Sequence, residues 1–132
     1  MTSYVYRFID IKGEVVYYGK TIDINNRMHT HFTNGHLDKK CYKSVAKIEY
    51  QKYKTESDAL IMETYYITKY SPKYNTLSKS RDMPTIQLEE KEWKTYQILK
   101  QQYTKYEAEK GILTWIMWGA LAYAIISFFI SR

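Results

Sequence analysis

The sequence predicts an α+β fold: a three-stranded antiparallel sheet flanked by helices, then a connector helix and one C-terminal transmembrane helix. Three observations predict it. Two short runs rich in β-branched and aromatic residues bracket a turn near the N-terminus, capped segments of helical character follow, and a stretch of 21 residues without a charge lies near the end. The 132 residues make one domain, or a small domain with an appendage, at the usual ~100–200 residues per domain. Any catalysis must therefore come from a compact site.

The elements follow in order. Residues 4–9 form a first strand, Asp10-Ile11-Lys12-Gly13 a turn, and residues 14–18 a second strand, giving a hairpin. Asp23 caps a helix that runs to about Phe32, because its carboxylate can accept from the free amides of the first turn. Residues 33–44, with Asn34-Gly35, read as a loop or a short helical turn, and residues 45–53 contain the third strand. Thr55, with Asp58 three residues on, is close to a capping box and begins a helix that runs to about Tyr70 and stops before Pro72. These pieces place one domain at residues 1–80.

Residues 81–110 are expected to form an amphipathic connector helix. Pro84 opens a segment rich in Glu, Lys and Gln, and Trp93, Tyr96, Leu99, Tyr103 and Tyr106 recur every three or four residues. Glu89, Glu90 and Glu92 suit the positive end of a helix dipole. The stripe either packs back on the first domain or forms a short dimer seam, and packing back is the simpler reading. Residues 111–131 carry no charge, and at ~1.5 Å per residue 21 of them cover a ~30 Å hydrocarbon core. Trp115 and Trp118 lie near Lys110, where aromatic side chains favour the headgroup region. The expectation is a single-pass, tail-anchored chain with its basic bulk on the cytoplasmic side.

The charge is uneven. Residues 1–81 hold 14 basic and 8 acidic side chains, while residues 82–132 hold six of each, so the whole formal +6 belongs to the first part. A pI near 9.2 disfavours acidic ligands and favours a polyanion, nucleic acid or an anionic lipid surface. The mean hydropathy of −0.55 averages a polar domain with an apolar tail and conceals the latter. Cys41 is the only cysteine, which leaves no intramolecular disulfide and no cysteine-based zinc site and favours a reducing compartment. The N-terminal residues lack a basic segment followed by an apolar run, so no signal peptide is expected.

Several polar residues stand where apolar ones are expected. On the helix after Thr55, the residues Ala59, Leu60, Tyr66, Ile67 and Tyr70 share a face with Glu63 in its middle. A carboxylate there is costly unless it is paired or binds a metal. It is therefore either half of a buried ion pair, or a metal ligand or acid–base group. Arg27 and His31 lie four apart on one helix face, where Arg can hold phosphate oxygens and His can donate to phosphate. A merely solvated face would explain that pair taken alone. His29 lies off that face and His36 carries no readable signal. Tyr4, Tyr6, Tyr17 and Tyr18 crowd the hairpin, and Gly19 after them permits close backbone approach to a ligand.

This constellation resembles the GIY-YIG nuclease family over about residues 3–76. Tyr4-Val5-Tyr6 looks like the first motif and Tyr17-Tyr18-Gly19 like the second, with Tyr4 in place of the name-giving Gly and Tyr18 in place of Ile. Arg27 and His31 match the family's Arg-x-x-x-His pair, Glu63 its helical Glu, and Asn75 its closing Asn; Lys20 matches a Lys often found after the second motif. The resemblance implies metal-dependent hydrolysis of nucleic-acid phosphodiesters. Glu63 would bind one Mg²⁺ or Mn²⁺, and Arg27 would stabilise charge on the phosphoryl oxygens. Tyr6 or Tyr17, aided by the metal or by Lys20, would activate water; a one-residue slip of the hairpin swaps faces, so the choice between them stays open. His31 and Asn75 would position groups.

The expectation is thus a membrane-tethered endonuclease acting on DNA, with RNA as the alternative, at the cytoplasmic face of the bilayer through residues 111–131. A role against incoming phage or mobile DNA is the biological reading, with no small-molecule cofactor and a homodimer as one arrangement. The rival readings are a catalytically inactive, membrane-held DNA-binding or adaptor module of the same fold, and a basic domain that binds anionic lipid headgroups.

Overall fold

The structure is a computed structural model that describes residues 1–76 and 83–100. The first hairpin forms as its composition requires. Strands β1 (Ser3–Asp10) and β2 (Val15–Thr21) pair antiparallel, and the turn is closed by Gly13 N–H donating to Asp10 O at 3.0 Å. Gly13 sits at φ +87°, a left-handed conformation that a side chain would strain. The amides of Lys12 and Glu14 donate to Asp10 Oδ1, so the Asp fixes the turn from inside.

Asp23 caps α1 (Ile24–Asn34) by accepting from the Asn26 amide, as its position predicts. The segment left between loop and turn becomes a short helix, α2 (Lys39–Ser44), capped by Asp38. β3 (Val45–Tyr53) pairs antiparallel with β1. α3 (Glu56–Tyr70) starts where Thr55 accepts from the Asp58 amide and ends at Ser71, in the left-handed conformation, immediately before Pro72.

One expectation is overturned. Residues 84–100 are not a connector helix: residues 94–98 form a fourth strand, β4 (Lys94–Ile98), on the open edge of β3. The sheet therefore has four strands, in the order β2-β1-β3-β4. The helix-forming composition loses because the β3 edge offers a row of unpaired amides and carbonyls, and Lys94-Thr95-Tyr96-Gln97-Ile98 alternates well enough to meet it. The amides of Leu99 and Lys100 extend this pairing by donating to Ala46 O. The expected packing-back survives in another form, with Trp93 against Tyr18 and Tyr66 and Tyr96 against Tyr50. Tyr103, Tyr106 and the uncharged stretch 111–131 lie outside the described residues. Among the described residues no helix is long and apolar enough to cross a membrane.

The sheet buries both faces. α3 covers one, where Val5, Tyr18, Tyr53, Ala59, Tyr66 and Ile67 form a core. α1 and α2 lie over the other, against Tyr6, Phe8, Tyr17, Met28, Cys41 and Ile48. Large side chains of this kind contribute ~1.5–3 kcal/mol each when fully buried. The α3 face also holds polar groups, all partnered. Arg7 forks onto Glu49 at 2.7 Å with Trp93 over its guanidinium, and Gln51 bonds Tyr53, Tyr66 and the Lys91 carbonyl. The last of these ties the stretch before β4 to the sheet.

After α3 the chain returns to the outer edge of β2. The Tyr74 amide donates to Val16 O at 3.0 Å. Asn75 then bridges both backbone groups of Tyr18, accepting from its N–H and donating to its carbonyl, each at 2.8 Å. These two residues act as a latch on an edge strand.

Candidate active site

The hairpin register fixes the face that each tyrosine takes. Tyr6 stands opposite Gly19 and Phe8 opposite Tyr17, so Tyr6 and Tyr17 share the α1 face while Tyr18 points to α3. Tyr6 and Tyr17 are neighbours, with ring centroids 6.1 Å apart. Gly19 lies within β2 rather than at its end, and the group that approaches it is a ring of the protein itself. A Cβ at residue 19 would lie 2.3 Å from Tyr6 Cζ and Oη.

α1 brings its two polar residues onto this face. Arg27 Nε donates to the Tyr6 hydroxyl at 3.2 Å, and His31 Nε2 lies 2.7 Å from the same oxygen. His31 is buried, and its Nδ1 lies 2.8 Å from the hydroxyl of Tyr42, which also accepts from the Leu37 amide. One arrangement uses every donor. The Tyr42 proton goes to Nδ1, Nε2–H donates to Tyr6, and the Tyr6 proton turns to Tyr17. Sequence reading missed Tyr42, which belongs to a helix it left undefined. It also found nothing in His36, whose ring lies 5.5 Å from that of His31 and 6.5 Å from that of Tyr17.

The electrostatics follow from burial and from Arg27. Burial, then the neighbouring Tyr17, push the Tyr6 hydroxyl far above the ordinary tyrosine value. Burial raises Tyr17 too, but the hydrogen bond from Tyr6 and the charge of Arg27 pull it back. Burial, with the charges of Arg27 and His36, lowers His31 to about 4, so its ring is neutral at neutral pH and acts as a fixed hydrogen-bonding link. The hydrogen bond to Tyr6 strengthens the protonated state of Arg27.

Glu63 sits half-buried on α3, at the edge of the core rather than in its middle. Leu60 and Tyr70, expected on the same buried face, are 52% and 47% exposed, and Met62 and Tyr65 are buried in their stead. Among the described residues no ion pair or hydrogen bond holds its carboxylate. Burial raises its pKa, while Lys20 and Arg27 lower it. Tyr17 senses Glu63 in turn, which sets the two within electrostatic reach. Lys20 pairs its ammonium with Glu56 Oε1 at 2.8 Å. Asn75 holds the β2 backbone rather than any reacting group.

Tyr17 opens onto a cleft of about 490 Å³ shared with His36, Asp38, Lys73, Tyr74 and Asn75, within the ~300–1,000 Å³ of ligand pockets. A larger cleft of about 690 Å³ is lined by Arg7, Asp10, Lys12 and Tyr70; neither cleft is lined by Arg27, His31 or Glu63, and the smaller one is set apart by Tyr17 alone. Among the described residues no group of three His, Cys, Asp or Glu side chains gathers to hold a metal. A half-buried carboxylate with no partner among the described residues nevertheless suits Mg²⁺, which keeps several waters and is bound through one or two carboxylates and substrate phosphates.

Residues 2–76 match the model of the UvrC-like GIY-YIG domain. Curated relatives agree. The chain is 35% identical over 86 residues to the UvrABC system protein C of Bacteroides thetaiotaomicron, covering 62% of this chain and 14% of that protein. To the UvrABC system protein C of Caldicellulosiruptor saccharolyticus it is 40% identical over 79 residues, 58% of this chain and 13% of the relative. To that of Photobacterium profundum the figures are 38% over 76 residues, 55% and 12%. The chain thus spans only about one seventh of the length of these relatives.

Proposed function

The chain belongs to the UvrC-like GIY-YIG domain family, and on that premise we propose that it is a metal-dependent DNA endonuclease. One observation carries the reading: Tyr6 is held between Arg27 and His31 beside Tyr17, with the Glu63 carboxylate, which has no partner among the described residues, within electrostatic reach. A phosphodiester bound at Tyr17, which borders the cleft, would have a proton acceptor beside it and the charges of Arg27 and Glu63 within electrostatic reach.

The residues divide the work. Tyr17 is the tyrosine that activates water, because it borders the cleft whereas Tyr6 is wholly buried. Tyr6 supports it through their hydrogen bond, which favours the ionised form of Tyr17. Arg27 Nε faces Tyr6, and the guanidinium's other N–H groups serve the phosphoryl oxygens, where removing one such donor typically costs ~10²–10³ in rate. Glu63 would hold Mg²⁺ or Mn²⁺, and that cation would neutralise phosphoryl charge and ease ionisation of groups beside it. His31 and Tyr42 hold the tyrosine pair in one hydrogen-bonding direction. Lys20, through its charge, favours the carboxylate form of Glu63.

The proposal extends to location and role. The uncharged residues 111–131 support a tail anchor that confines cleavage to DNA near the cytoplasmic face of a membrane, as suits a defence against incoming phage or mobile DNA. Plasmid nicking by the full-length chain with Mg²⁺ or Mn²⁺, lost in Arg27→Ala and Glu63→Gln, tests the chemistry. Flotation with liposomes, lost when residues 111–131 are deleted, tests the anchor. A chain that stays at the bottom of the gradient with those residues intact refutes it.

A further inference from the structure

The α1 face of the sheet has an end that the helices leave open. By register, Tyr4 of β1 pairs with Lys52 of β3, and Tyr50 pairs across to both Tyr6 and Lys94. Directly paired residues share a face, so Tyr4, Lys52, Tyr50 and Lys94 project together, and Tyr96 joins them with its ring 6.4 Å from that of Tyr50. Tyr4 lies 6.0 Å from Tyr50 on the other side. The three tyrosines are half-buried and both lysines are exposed. Tyr6 and Phe8 are each 0% exposed, whereas Tyr50 and Tyr96 pack against the same core yet keep part of their rings open, in an outer row in which ring and ammonium alternate across three strands.

We propose that this row is a binding track for an unpaired nucleic-acid strand. Half-exposed rings on an open sheet face offer bases a stacking surface, and lysines between them meet the phosphates; duplex DNA, with its bases already stacked, can use only the second of these. The face carries no carboxylate among its β1, β3 and β4 residues from Tyr4 to Tyr96. The Tyr96 hydroxyl donates to Asn25, two residues before Arg27, so the track runs up to the helix that carries the site's cation. Much of it depends on β4, which lies beyond the segment shared with the family model, so the added strand gives this chain a surface the shared segment alone lacks. The track deepens the nuclease reading and rests on it for its purpose: it selects substrates with a single-stranded flank.

The test measures binding apart from cleavage. The full-length chain in neutral detergent, with EDTA present, is titrated into a labelled oligothymidylate of about 12 nucleotides, within the ~4–16 nucleotides typical of such sites. A duplex of equal length is the comparison. Tyr50→Leu with Tyr96→Leu removes two stacking rings and is expected to weaken oligothymidylate binding by at least about 30-fold and duplex binding little. Lys52→Gln with Lys94→Gln, both exposed and so harmless to folding, is expected to reduce the slope of log affinity against log salt by about 1.4. Unchanged oligothymidylate affinity in both variants overturns the track, as does an equal loss for duplex in the tyrosine variant. Plasmid nicking with metal is scored separately: a wild-type chain that binds the strand but never nicks defeats the nuclease reading and leaves the track standing.

Discussion

Gly19→Ala perturbs one atom and reaches the whole site. The added Cβ would fall 2.3 Å from Tyr6 Cζ and Oη and 2.7 Å from Cε2, well inside contact distance. Tyr6 cannot swing aside cheaply, since it is 0% exposed and its hydroxyl is held by His31 and Arg27. Overpacking of this kind costs ~1–3 kcal/mol. Displacing the hydroxyl from its two partners adds ~0.5–1.5 kcal/mol each, for a total of about 2–6 kcal/mol. In a domain of this size each kcal/mol moves the thermal midpoint by ~4–8 °C, so a fall of at least ~10 °C is expected by circular dichroism. The decisive comparison is a double-mutant cycle with Tyr6→Leu, which removes the atoms that clash. Both the clash and the displaced hydrogen bonds should drop out of the Gly19→Ala cost in the double variant, giving a coupling of about 2–6 kcal/mol, while plasmid nicking stays lost. Additive effects of the two substitutions, or a stable and active Gly19→Ala, would refute the reasoning.

The other predictions use the buried polar groups. In the metal-free protein burial raises the Glu63 carboxyl, so its contribution to stability is present at low pH and is lost as pH rises through its folded-state pKa. Glu63→Gln should thus match or exceed wild-type stability in urea near neutral pH, with the gap closing below ~4, while metal-dependent nicking falls at least ~100-fold. A destabilised Glu63→Gln would point to a structural carboxylate. His31, lowered to about 4 from an ordinary value of 6.5, contributes stability present above about 6.5 and lost progressively as pH falls towards 4. That loss is on the order of 3 kcal/mol, and His31→Gln should flatten this part of the stability–pH curve. An unchanged slope there would count against a buried neutral imidazole. Asn75→Ala strands the Tyr18 amide and carbonyl and should cost ~2–5 kcal/mol in urea unfolding; a loss under ~1 kcal/mol would mean that the latch holds little.

Much of this was legible in the sequence because it rests on local rules. The caps at Asp23 and Thr55, the hairpin turn at Asp10–Gly13 and the stop before Pro72 all depend on residues within a few positions of one another. Arg27 and His31 share a face by helical spacing alone. What the sequence could not convey depends on contacts remote along the chain. Residues 94–98 carry no signal that β3 has a free edge nearly 50 residues earlier, so their helix-forming neighbours misdirect. Whether Tyr6 and Tyr17 share a face is a matter of register, set by the irregularity between Phe8 and Ile9. Tyr42 joined the site only through the fold that brings α2 against α1. Glu63 was found as an anomaly in an apolar stripe, although the stripe proved to be centred elsewhere.

The latch at Tyr74 and Asn75 also governs how this domain keeps to itself. By bonding Val16 and Tyr18 from outside, these residues occupy the row of backbone groups that β2 would otherwise offer to any passing strand. At the opposite margin β4 covers β3 and presents Lys94 and Lys100 to solvent. The shared family segment closes at residue 76, one position past the latch, so the part held in common is a sheet already sealed on its β2 side. Shortening the domain to residue 73 would unseal it, and such fragments should be recovered as intermolecular sheet aggregates rather than as a smaller soluble nuclease.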